Sequence, residues 1–262
     1  MSTPSITWQP SLSERYLLRL ADTCLIHAQR GSEWCGHAPI LEEDIALTNM
    51  SLDLVGQARG LLTHVGQLSG HAFDEDQLAF LREERDYLNL TLAELPGRKA
   101  GRDFADTVLR NLMVGTWLHL VWQRLQASSD AEVAAIAGKA VKEARYHREH
   151  AAGWVVRLGD GSEESARRMQ KAVAALWPYS AELFEADEVD AHAVATGLGP
   201  ARAELREPWG QAMREVLAEA QCTPPADSAF RSTGTRGVHS EHLGYMLAEM
   251  QSLQRAYPGG KW

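Results

Sequence analysis

The chain has 262 residues and a formal net charge of -9, with 45% hydrophobic and 23% charged residues. That balance is ordinary for a packed globular protein, and it argues against a nucleic-acid surface or an anionic membrane as the main partner. No apolar run approaches the ~20 residues that span a bilayer, and the first ten residues lack the charged-then-apolar pattern of a signal peptide, so a cytoplasmic location is expected. Cys24, Cys35 and Cys222 are widely separated and odd in number, which predicts reduced thiols rather than a disulfide framework or a metal site.

The pattern is one of long helical segments with short punctuation, and it predicts an all-α fold. A first helix over residues 12–30 places Tyr16, Leu17, Leu20, Cys24 and Ala28 at helical spacing and stops near Gly31. A second begins after Pro39 and runs to about Ser69, where Gly70 supplies a stop. Residues 74–95 read as a less regular helical segment closed by Pro96-Gly97, with a basic, solvated loop at 98–102. Helices over 104–126 and 131–158 form a second hairpin, the later one capped from Ser128-Ser129-Asp130. Two long hairpins joined by a crossover are a ferritin-like four-helix bundle with its core over about 12–158. Additional helices fill 162–262: one capped by Ser162 and bent or ended at Pro178, then 187–195, 202–220 and, after a Pro/Gly/Ser-containing stretch at 223–237, an amphipathic helix over 238–256. No linker divides the chain, so residues 1–262 are expected to form a single domain.

Di-iron and di-manganese bundles take a carboxylate from each of two helices and a Glu-x-x-His pair from each of the other two, because positions i and i+3 share a helix face. Asp22 and Asp53 lie 31 positions apart, which suits facing positions across an antiparallel hairpin, and Glu143 is the matching acid on the fourth helix. The imidazoles are missing: Gly56 follows Asp53 by three and Tyr146 follows Glu143 by three. None of the ten histidines has Asp or Glu three positions earlier, and the third helix offers only Asp106 near its start and Asn111 nearer its middle.

Two readings follow. Asp22, Asp53, Glu143, His147 and His150 would be unusual ligands of a self-sufficient di-metal oxidase or oxygenase. Alternatively, Asp53, Glu143, Tyr146 and His147 form a buried polar network, with Arg59 or Arg145 as counter-charges, since a buried acid without metal needs other partners. Near the end, Arg231 and Arg236 flank a glycine-containing loop that either binds an acyl-CoA phosphate or docks the terminal helix. His239 and His242 follow it, at a helix start without a nearby cysteine. The helix face Leu243, Met246, Leu247, Met250 and Leu253 is predicted to pack, and the eight tryptophans to serve as core and interface anchors.

Several motifs carry a more specific message: residues 31–39 (GSEWCGHAP), 52–59 (LDLVGQAR), 142–147 (KEARYH), 181–188 (AELFEADE) and 237–244 (GVHSEHLG). Over nearly the whole length the chain resembles the structural subunits of the bacterial phenylacetyl-CoA epoxidases, multicomponent oxygenases of aerobic phenylacetate degradation. The resemblance implies a ferritin-like subunit that is non-catalytic and binds no metal. It would pair with a homologous catalytic subunit holding the di-iron centre and leave Asp22, Asp53, Gly56, Glu143, Tyr146 and His147 as a degenerate site. It further implies a reductase carrying FAD and an iron–sulfur cluster, NADPH as electron source, and phenylacetyl-CoA as substrate of the complex. Arg231, Arg236, His239 and His242 are then candidates for an interface or docking surface.

Overall fold

A computed structural model describes residues 5–97, 101–226 and 228–260. Helix α1 (Leu12–Ser32) starts on a reciprocal cap: the Glu14 N–H donates to the Ser11 hydroxyl while the Ser11 N–H donates to the Glu14 carboxylate. Helix α2 (Leu41–Leu68) runs back along it, so that Gly31 meets Ser51 and Cys24 meets Gln57, pairs whose numbers rise on one helix as they fall on the other. Helices α5 (Phe104–Leu125) and α6 (Ala131–Gly159) form the second hairpin, with Gly115 against His147 and Arg148 and the His119 ring beside the Val141 carbonyl. The Asp130 carboxylate accepts the N–H groups of Glu132 and Val133 and so caps α6. Since α2 also runs antiparallel to α6, the four helices close a ferritin-like bundle.

The crossover is shorter in helix than its composition predicts. It contains α3 (Glu75–Phe80), a 3-10 turn and the single-turn α4 (Thr91–Glu94), with extended backbone between them. Extended backbone can be buried only if its polar groups find partners, and here distant side chains supply them. The N–H of Leu88 donates to Asp22 at 2.8 Å, that of Leu90 to the Thr23 hydroxyl at 3.1 Å, and that of Thr91 to Glu182 at 3.0 Å. Of the basic loop, residues 98–100 lie outside the described part, while Gly101 is exposed and Arg102 bonds Asp106 at 2.8 Å.

Helix α7 (Glu163–Leu176) is capped by Ser162 and ends before Pro178, where a 3-10 stretch takes over to Phe184. Helices α8 (Glu188–Ala195) and α9 (Arg202–Glu219) follow. Indole N–H groups fix this part of the chain to α5: Trp209 of α9 donates to the Met113 carbonyl at 2.9 Å, and Trp117 of α5 to that of Leu183 in the 3-10 stretch at 3.0 Å. Arg19 on α1 ties α8 in with hydrogen bonds of 2.9 Å to both Asp187 and Asp190, and Arg202 donates to Asp190 at 2.6 Å.

The predicted helix over 238–256 is corrected: Val238 instead pairs with Thr233 in an isolated antiparallel bridge, α10 (Glu241–Met250) begins later, and α11 (Ser252–Ala256) is separate. Of its predicted face, Leu243, Met246 and Leu247 are buried, whereas Leu253 is exposed. The main apolar core is continuous from Tyr16 to Leu247.

Candidate metal centre

The interior of the bundle is where two metals would sit in a ferritin-like oxidase, and its lining follows from helix rotation. Asp22 and Cys24 are two residues apart on α1, about 200° around the helix, so they face opposite sides. Cys24 takes the bundle side; its thiol, held protonated because burial and then the Glu143 charge push its pKa up, donates to Gln57 Oε1 at 3.5 Å. Gln57 Nε2 donates in turn to Glu143 Oε2 at 3.0 Å, and the exposed Lys139 ammonium lies 3.4 Å from the other carboxylate oxygen.

Asp22 is therefore not opposite Asp53, and that expectation is corrected. It is fully buried toward the crossover, where Arg82 bonds both of its carboxylate oxygens and Leu88 donates a third bond. The Arg82 charge is held by this pairing: burial alone would lower its pKa, but Asp22 outweighs burial and raises it.

The other positions divide cleanly. Asp53 and His147 come together, with His147 Nε2 3.0 Å from Asp53 Oδ2. Burial lowers the His147 pKa against the opposing pull of Asp53, so the ring is neutral and its Nε2–H donates to the carboxylate. Gly56 and Tyr146 lie on the outer surface, and a side chain at Gly56 would meet nothing within 4 Å. His150 Nε2 stands 3.0 Å from Glu43 Oε2, close enough for an ion pair but not aligned for a hydrogen bond. Neither expected counter-charge is buried with the network: Arg59 pairs with Glu75 at 2.9 Å, and Arg145 is exposed.

The five ligands of a self-sufficient di-metal site do not converge. Asp22 serves the crossover, His150 faces Glu43, and among the described residues no group of three or more His, Cys, Asp or Glu stands where it could hold a metal ion. The donor chemistry agrees, because a bridging pair needs several free carboxylates and free imidazole lone pairs. Here a protonated thiol and an amide occupy the inner positions of α1 and α2, Asn111 and Gly115 those of α5, and the Nε2 of His147 is committed to Asp53. Asp106 is used up in capping α5 and pairing with Arg102. These residues do not fit a di-metal centre.

Sequence reasoning missed the polar roles of Cys24, His27, Gln57 and Arg82. His27 had a signal, standing three residues after a cysteine on the apolar face; Arg82 had none, because its partner lies 60 residues away.

The C-terminal candidates also separate. His239 has a fully buried side chain between two acceptors, Glu94 Oε2 and the Tyr87 carbonyl, each at 2.8 Å. Both ring nitrogens must donate, which makes the ring an imidazolium. Burial, the largest single influence, would lower its pKa, but the Glu94 bond and charge, the Tyr87 carbonyl and the Asp22 charge together outweigh it and the net shift is upward. His239 is thus a fastening inside the fold. His242 is half-buried, and its carbonyl accepts from Arg30 at 3.2 Å. Arg231 and Arg236 are exposed, lying 2.7 Å from Glu185 and 3.6 Å from Asp187.

The molecule is thus a ferritin-like bundle in which Asp22, Asp53 and Glu143 are each hydrogen-bonded within the fold. Residues 7–262 match the model of the family described as "Phenylacetic acid catabolic protein", and the chain belongs to that family. It is 47% identical over 247 residues to a subunit of the 1,2-phenylacetyl-CoA epoxidase of Escherichia coli K12, a match that covers 94% of this chain and 98% of that protein. The family places the chain in phenylacetate catabolism. No helix among the described residues is long and apolar enough to cross a membrane.

Proposed function

We propose that this chain is a non-catalytic structural subunit of a cytoplasmic phenylacetyl-CoA 1,2-epoxidase. It pairs with a homologous ferritin-like subunit that holds the di-iron centre and receives electrons from NADPH through a flavin and iron–sulfur reductase. The observation that carries this reading is the spent donor set: Asp22 is committed to Arg82, Asp53 to His147, and Glu143 to Gln57. Kinship with a protein named as one subunit of an epoxidase supports the multicomponent part.

The outer face of α2 supports the partner. Leu41, Ile45, Leu52 and Val55 form a row at helical spacing and are 72%, 53%, 63% and 43% exposed, beside Gly56 and near the half-exposed Tyr146 of α6. Exposed apolar rows of this kind mark interaction surfaces, and a helical face of the homologous subunit would bury this one. Co-expression of the two subunits followed by iron counting in each tests the reading. Iron is expected in the partner alone; stoichiometric iron in this chain by itself would overturn the proposal.

A further inference from the structure

We propose that the small cavity between α1, α2, α5 and α6 is a hydration site, occupied by one or two water molecules that act as ligands of His27, Asn111 and His147. The cavity has a volume of about 20 Å³, against the roughly 10–15 Å³ needed to seat one water by the same measure. Much of its wall is apolar, from Leu47, Met50, Leu54 and Leu118, yet these three polar side chains and Ser51 also open onto it.

Their bonding capacity is left over by the protein. Asn111 is 8% exposed, and its amide makes no hydrogen bond to any described residue. His27 is 5% exposed, with Nδ1 buried and no partner among the described residues. Burial lowers the pKa of His27 well below its ordinary value, with Arg110 and His147 adding to the effect, so this ring too is neutral. A neutral imidazole has one donor and one acceptor. His147 gives its Nε2–H to Asp53, which leaves Nδ1 as an acceptor. The Ser51 hydroxyl donates to the Leu47 carbonyl at 2.8 Å and keeps lone pairs to accept with.

The cavity therefore presents donors from Asn111 and His27 and acceptors from Asn111, His147 and Ser51. Water, able to donate twice and accept twice, satisfies such a set where no second protein group reaches. It would link α1, α5 and α6 across the space that metals fill in a ferritin-like oxidase, and through His147 connect them to Asp53 at the surface.

Crystals of the chain diffracting well enough to show ordered water, compared before and after pressurisation with xenon, test the inference. Water density within hydrogen-bond distance of Asn111 and one of the two imidazoles is expected, with no xenon in the cavity. A dry cavity, xenon bound there, or a metal ion in place of water would overturn it. In solution, water-oxygen relaxation dispersion should show one or two fewer long-lived waters in Asn111→Leu than in the parent chain, and an unchanged number would count against it. Should that variant fail to fold, the xenon experiment on the parent chain still decides.

Discussion

Asp22 and Arg82 are both fully buried and bonded to each other through two hydrogen bonds. Removing one partner leaves an uncompensated ion in the interior, so Asp22→Ala should cost about 3–5 kcal/mol in urea unfolding, whereas Asp22→Leu with Arg82→Leu should cost less than either single change. The histidines give opposite pH limbs. His27 and His147 have lowered folded pKa values, so the unfolded chain takes up protons more readily, and the stability they contribute is lost as pH falls below about 6.5. His239 has a raised folded pKa, so its contribution is complete below about 6.5 and is lost as pH rises through the folded value. Urea midpoints taken across that range should therefore fall on both sides, and His239→Gln should be less stable at the optimum but flatter on the alkaline side. At this scale the sequence made the Asp53–His147 pair legible, because both sit on recognisable helices at matching heights. It hid Asp22's role, because a separation of 31 residues fixes neither register nor rotation: with Gly31 level with Ser51 and Cys24 with Gln57, Asp22 stands about level with Arg59 and not with Asp53.

The four bundle helices were readable to within a few residues, since each carries its own apolar periodicity, and local signals such as the Asp130 cap of α6 and Gly70 just past α2 act within a turn of where they stand; Gly31, expected to end α1, instead lies inside its last turn. The crossover and the C-terminal segment were not. Their backbones are held by residues far away in sequence, such as Glu182, which accepts the N–H groups of Thr91 and Thr235 and the Ser232 hydroxyl. No local pattern encodes that. Gly234 sits at the seam: its N–H donates to the Thr91 hydroxyl at 3.0 Å, and a Cβ there would run into the Asn89 carbonyl and lie 2.9 Å from the Thr91 nitrogen. Gly234→Ala should loosen residues 228–240 from the crossover, at a cost of about 2–3 kcal/mol, and speed tryptic cleavage after Arg231 and Arg236 while leaving helical circular dichroism nearly unchanged.

For the whole molecule, the resemblance carried by five short motifs gave the family, while the structure shows how the three acids are accommodated in a packed bundle: Asp22, Asp53 and Glu143 each have a protein partner, in Arg82, His147 and Gln57. The exposed row on α2 gives the corresponding test of assembly. Leu52→Glu should weaken capture of the homologous subunit at least tenfold and leave the stability of the isolated chain within about 0.5 kcal/mol of the parent, as expected for a surface substitution; unimpaired capture would move the interface elsewhere.

The fastening of the crossover by the C-terminal segment also sets an order of events during synthesis. Glu94 is buried against His239 and the Ser240 N–H, 145 and 146 residues further along the chain. While the ribosome is still making α9, the two hairpins can already pair through their own contacts, but Glu94 has met only Asn89 and Glu182 only Thr91, and their C-terminal partners are still to come. The middle of the chain thus waits for its end, and a nascent chain stopped before residue 232 would carry a formed bundle with an unsealed crossover.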